Sequence, residues 1–191
     1  AFAYADNIRM RDGGYEFDIM TLAGDITKAN ESITGVRLNM GGMHNVENAV
    51  AAIVVAIYLG IDNDKIKKAV ENFQGVKRRF EYIIKNERIV FIDDYAHHPE
   101  ELRALINGAK ALFKQKKCTV IFQPHLYSRT RDLADGFAEV LDLADEVILL
   151  PIYPARELPI EGVNSQMILD KMDKAVRSVK EKEEVMNWIE T

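Results

Sequence analysis

Cysteine is nearly absent from this chain of 191 residues: Cys118 stands alone, which excludes an intrachain disulfide framework. A lone thiol suits a reducing compartment, and Cys118 reads as a small buried strand residue. Five prolines and eleven glycines are too few for collagen-like or low-complexity sequence. Positive charge is not in excess: 25 Lys and Arg face 30 Asp and Glu, a formal charge of −5. That is the wrong sign for a general binder of nucleic-acid backbones. Long apolar runs are missing too. The longest, Ala49–Leu59, falls far short of the ~20 residues of a membrane span. The opening Ala1–Met10 holds Asp6, Asn7 and Arg9, unlike a signal peptide. The chain is therefore expected to be globular and cytoplasmic, with no nucleic-acid partner and no membrane insertion. Its hydrophobic residues, 48% of the total, suffice at this length for a core without metal or disulfide.

The hydrophobic pattern changes period along the chain. Tyr15–Leu22 alternates apolar and polar residues as a half-buried strand does. Gly13-Gly14 before it predicts a hairpin with Ile8–Arg11, and Ser32–Leu38 is a weaker third strand. Asn45–Gly60 is apolar almost all round, the mark of a buried helix ending on Gly60. Asp62–Phe73 carries a helical stripe of Ile66, Ala69, Val70 and Phe73, with Asp62 or Asn63 as its cap. A boundary is placed at Gly75, giving segments 1–75 and 76–191. Beyond it come short strands Tyr82–Lys85 and Arg88–Asp93, a helix Pro99–Phe113, a strand Cys118–Gln123 and a helix Leu133–Leu143. A strand Glu146–Leu150, a helix Ser165–Met172 and a helix Val185–Ile189 follow. Strands alternating with helices predict an α/β fold with a parallel, helix-covered sheet. The closing helix has no strand to return to and the opening hairpin no obvious partner, so the chain is expected to be part of a longer protein.

Ligands in open parallel sheets bind beyond the carboxyl ends of the strands. Two strands here run into polar sequence: Ile89–Asp94 into Tyr95-Ala-His97-His98-Pro99, and Val120–Pro124 into His125-Leu-Tyr-Ser-Arg129-Thr-Arg131. One such turn reads as caps and solvated side chains; two on one sheet edge predict a site. Arginine holds carboxylate or phosphate bidentately, aspartate accepts from a ribose diol, and histidine orients an anion or moves a proton. A metal site is the rival reading, but adjacent histidines rarely converge on one ion and no metal-ligand spacing supports it. No metal ligands are assigned. Asn45 and Asn48, three apart at the start of a helix, either read an adenine edge or cap the helix. The basic run Lys77-Arg78-Arg79 is either a solvated linker or a phosphate grip. No P-loop, dinucleotide fingerprint or nucleophile elbow is present.

The segments Gly42-Met-His44-Asn45-Val-Glu-Asn48, Gly75-Val-Lys-Arg-Arg79-Phe, Asp93-Asp-Tyr-Ala-His97-His-Pro99 and Phe122-Gln-Pro-His125-Leu-Tyr-Ser-Arg129-Thr-Arg131, in this order, resemble the Mur ligases of peptidoglycan synthesis. Tyr153-Pro-Ala-Arg-Glu157-Leu-Pro159 fits the same family. The third and fourth segments look most like the members that add L-alanine to UDP-N-acetylmuramate. The resemblance implies a Rossmann-like C-terminal domain over 76–191, lacking its last strands. Before it would stand the end of a central ATPase domain over 1–75. It implies ATP and Mg2+, the magnesium ligands mainly upstream, and amide formation through an acyl phosphate. By resemblance His44, Asn45 and Asn48 would hold adenine, Asp94 the ribose and Arg79 the phosphates. Arg79, His97 and Arg129 would be catalytic; Tyr95, His97, His125, Arg129 and Arg131 would bind substrate. Some members carry an arginine where this chain has Leu126, so no contact is carried over there. Without a P-loop the chain alone is expected to be inactive. A related ligase that recycles a tripeptide, and a non-catalytic nucleotide-binding module, are the alternatives.

Overall fold

The computed structural model describes residues 3–21, 32–173 and 176–190. By packing, the chain divides into two compact units. One comprises residues 1–95 with 111–113, and the other 96–110 with 114–191.

In the first unit, β1 (Ala3–Arg11), β2 (Gly14–Thr21) and β3 (Ser32–Leu38) form an antiparallel sheet in that order. Arg11 pairs with Gly14, so the hairpin turns on Asp12-Gly13. Both have positive φ, 51° and 78°. That is the primed turn whose twist matches a tight hairpin. The turn thus sits one residue earlier than the sequence suggested. Gly14 instead opens β2 where a Cβ would meet the Leu38 carbonyl oxygen at 2.2 Å. The expected alternation holds, with Tyr15, Phe17 and Ile19 buried. Leu22 lies outside the described residues. The hairpin that lacked an obvious partner has one in β3.

α1 (Met43–Tyr58) packs Val46 and Ile53 into this core. It ends at Leu59, and Gly60 follows with φ 73°. Gly60 and Ile61 donate their amides back to Ile57 and Ala56, the paired bonds of a glycine-terminated helix. The expectation of an all-round buried helix is corrected: Val55 is 58% and Tyr58 67% exposed. Only one face meets the sheet. α2 (Asn63–Glu71) starts on Asp62, whose carboxylate accepts the amides of Asp64 and Lys65. Its stripe is narrower than expected, since Ile66 is buried while Ala69 and Phe73 are exposed. β4 (Glu81–Lys85) and β5 (Val90–Asp93) form a separate antiparallel ribbon. That corrects the placement of the two polar turns on one sheet edge: β5 is not a strand of the parallel sheet.

The second unit holds α3 (Pro99–Leu112) over most of its length, β6 (Thr119–Phe122), α4 (Tyr127–Leu141) and β7 (Glu146–Leu149). The short α5 (Gln166–Leu169), β8 (Val176–Val179) and α6 (Lys182–Glu190) complete it. β6, β7 and β8 are parallel in that order. The expected α/β architecture, a parallel sheet with flanking helices, is present. Its core gathers Leu102, Phe137, Leu141, Val147 and Ile168. Three details differ from the sequence reading. α4 begins six residues before Leu133, α5 is a single turn, and β8 was not anticipated because Val-Arg-Ser-Val is short and half polar.

Candidate functional site

Within the first unit, Phe80 organises the polar residues. Its ring is 1% exposed and lies against Gly41, where a Cβ would stand 2.0 Å from the ring. Only glycine admits so close an approach. Its amide donates to Asp94 Oδ2 at 2.8 Å. One residue therefore ties the loop before α1 to the end of β5. Arg78 and Phe80 both have positive φ, 58° and 49°. A left-handed backbone at two non-glycine residues is strained and is kept only where the surroundings fix it. Three bonds do so at Arg78: its amide donates to Glu81, its carbonyl accepts the Tyr95 amide at 2.8 Å, and its guanidinium meets Asp93 at 3.5 Å. The same guanidinium lies 5.7 Å from the centre of the exposed Tyr95 ring.

The clamp ties Asp94, and Arg79 next to Phe80, to the loop that leads into α1, where His44, Asn45 and Asn48 lie. Asn45 is buried and its side-chain amide donates to the Gly41 carbonyl at 2.7 Å. It does not cap α1, which has no side-chain cap; it closes the loop onto the helix. His44 and Asn48 are exposed, four residues apart and hence on one face of α1. The His44 ring covers Gly42, whose φ of 84° and missing Cβ make room for it. Arg79 is exposed and Asp94 half-buried. The basic run predicts a solvated linker or a phosphate grip at Arg78, and no role for Phe80. No local signal marks Phe80, because its bond to Asp94 is made by its backbone amide.

The second unit holds His97, His125, Arg129 and Arg131. His97 precedes α3, where the Glu101 carboxylate accepts its amide at 2.9 Å and lies 3.3 Å from Nδ1. This resembles a capping box, with a helix glutamate reaching back over the first turn. His125 follows β6 and stacks on Tyr153, ring centres 5.5 Å apart, and the two residues form a parallel bridge. Arg129 is half-buried in the first turn of α4. Arg131 is exposed and paired with Asp132 at 2.7 Å. Glu157 accepts the Ser128 amide at 2.9 Å and also the Ser128 hydroxyl. Those two bonds hold its carboxyl below the usual glutamate range. A cleft of about 320 Å³ beyond the ends of β7 and β8 is lined by Tyr127, Ile152, Val163, Gln166 and Val179. None of these was a sequence candidate. Among the described residues no group of three His, Cys, Asp or Glu is placed to hold a metal ion. No helix among them is long and apolar enough to cross a membrane.

Residues 78–191 match the family described as Mur ligase, glutamate ligase domain. The chain belongs to the Mur ligase family. The resemblance drawn from the motifs is thereby borne out, and the match takes in Arg79, Asp94, Tyr95, His97, His125, Arg129 and Arg131. Among Mur ligase relatives, UDP-N-acetylmuramate–L-alanine ligase of Flavobacterium johnsoniae is 46% identical over 182 residues, which is 95% of this chain and 39% of that protein. The crystal structure of the UDP-N-acetylmuramate-alanine ligase of Thermotoga maritima superposes with a TM-score of 0.72 at 30% identity, covering 94% of this chain and 37% of that one. Folylpolyglutamate synthase of Mycobacterium tuberculosis complexed with ADP gives a TM-score of 0.73 at 18% identity, over 98% and 40% of the two chains. That last likeness is one of fold. The chain spans about two fifths of the length of these relatives, 39% in the first case.

Proposed function

We propose that this chain is part of a cytoplasmic, ATP-dependent ligase that joins L-alanine to UDP-N-acetylmuramate in peptidoglycan biosynthesis. The observation that carries the reading is the Phe80 clamp, which gathers a face of polar side chains, an arginine and an oriented carboxylate in one unit. Such a set suits a nucleoside phosphate: amides and an imidazole for a base, aspartate for a ribose diol, arginine for phosphate. The names of the Flavobacterium johnsoniae and Thermotoga maritima ligases support this choice of reaction. In this reading residues 1–75 end the nucleotide-binding domain and 76–191 form most of the following one, a division supported by the family match starting at 78.

His44 and Asn48 would flank the adenine, with Asn45 holding the loop that presents them. Asp94, held by the Phe80 amide, would meet the ribose. Arg79 would meet the phosphates. Arg129 and Arg131, with His97 and His125, would hold the amino acid and the muramoyl carboxylate during acyl-phosphate formation and attack by the amine; Tyr95 would be a substrate contact of the first unit. Arginines suit a transferring phosphoryl group because they stabilise charge that develops in the transition state. None of this chain's side chains is assigned to magnesium. ATP turnover would need the P-loop that this sequence lacks.

Kinetics of the whole ligase test the reading. Phosphate release should depend on UDP-N-acetylmuramate, ATP and L-alanine together, and Arg129→Ala should lower kcat/KM about 100-fold or more. Release that responds to a tripeptide and not to L-alanine would move the assignment to a recycling ligase. No amine-dependent release would overturn it.

A further inference from the structure

The motif Tyr153–Glu157 has no role in the reading above, yet it supplies the start of α4. That helix follows Leu126, whose φ of 72° is left-handed, and no side chain of the turn caps it. Arg129 and Arg131 lie in its opening turns. Cations at the positive end of a helix dipole are unfavourable, and four amides there need acceptors. The missing acceptor comes from 29 residues along the chain. Glu157 accepts the Ser128 amide with one oxygen and the Ser128 hydroxyl with the other. The same loop is pinned at its other end. Leu126 donates its amide to the Tyr153 carbonyl at 2.9 Å, the Tyr153 amide donates to Pro124 at 2.8 Å, and the Tyr153 ring stacks on His125.

We propose that Glu157 is a positioning residue: capping α4 from outside the helix, it fixes the first turn so that Arg129 keeps one orientation toward the anionic group of the incoming amino acid. The inference rests on the ligase reading of Arg129. Arg131 is the charged side chain acting on Glu157, and it is already paired with Asp132. The carboxylate is therefore spent on Ser128 rather than on an ion pair. Serine at the second helical position supplies both an amide and a hydroxyl to that one carboxylate, so one residue engages both of its oxygens.

Amide hydrogen exchange on the 191-residue chain reads the cap directly. Glu157→Ala should speed exchange at Ser128 about tenfold or more, while Glu157→Gln, which keeps an acceptor oxygen, stays within about threefold; β7 amides report any global loss. In the whole ligase, Glu157→Ala should raise KM for the amino acid about tenfold and leave KM for ATP within about twofold, and Glu157→Gln should restore most of the difference. Unchanged exchange in Glu157→Ala overturns the inference. So does equal damage to both substrates, the pattern of a merely structural role. If the unsubstituted ligase releases no phosphate on addition of amino acid, the ligase reading fails, and the exchange measurement still decides the cap.

Discussion

Three helices of this chain begin in two different ways. α2 starts on Asp62, which sits next to the helix and takes two of its free amides. α1 and α4 start after residues with positive φ, Gly42 at 84° and Leu126 at 72°, and neither has a side-chain cap of its own. The self-capped helix bears no candidate residue. The two uncapped ones carry His44, Asn45 and Asn48, and Arg129 and Arg131. An opening turn used for binding cannot also be filled by its own cap, so its stability is borrowed from a distant residue. Phe80 and the Asn45–Gly41 bond serve α1; Glu157 serves α4.

Removing the borrowed support tests this contrast most severely. Phe80 is buried, and Phe80→Ala should destabilise the first unit by about 3–5 kcal/mol in urea unfolding. The same variant should free the Asn45 side-chain amide, seen as faster solvent exchange of its protons. A loss under about 1 kcal/mol would mean that the loop before α1 holds itself. Next in size is the local cap. Asp62→Ala should cost about 1 kcal/mol by the same measurement and leave the surroundings of His44 unchanged.

The smallest effect separates the two kinds of cap by pH. Glu157 is held below the usual glutamate range by its bonds from Ser128. A carboxyl with a lowered folded-state pKa adds stability above its unfolded pKa of about 4.3, and loses it as the pH falls through the lower folded value. The difference in Tm between the unsubstituted chain and Glu157→Gln should therefore be full near about pH 6 and fade below about pH 4. A gap that does not change with pH would remove charge from the account of α4.

The same contrast explains what could be read from the sequence. β2 was legible because Tyr15, Phe17 and Ile19 alternate with polar residues, and α2 because aspartate precedes an amphipathic run. α4 was placed six residues late because its cap lies at Glu157, and no local signal marks a helix that is capped from afar. α1 was read as buried from composition alone, but its apolar residues exceed what one sheet face covers. β8 was missed because it is a mostly exposed strand, and Val-Arg-Ser-Val carries no buried alternation to mark it. The candidate residues were found through their types at strand ends. Phe80 and Glu157, which act through backbone amides, give no such sign: any amide will do as a donor, so the pairing shows only in three dimensions.

The order of β-pairing also sets a timetable for the chain. β1 and β2 meet across a two-residue turn, Arg11 against Gly14, and such a hairpin closes in microseconds. In the parallel sheet Thr119 must find Glu146 and Glu146 must find Val176, each after a long crossover. Contacts that distant come late, since loop closure must be completed before any pairing is gained. During refolding the antiparallel hairpin is therefore protected while β6, β7 and β8 are still separate strands. That interval is when the apolar edges of this unit are open to pairing with the wrong chain.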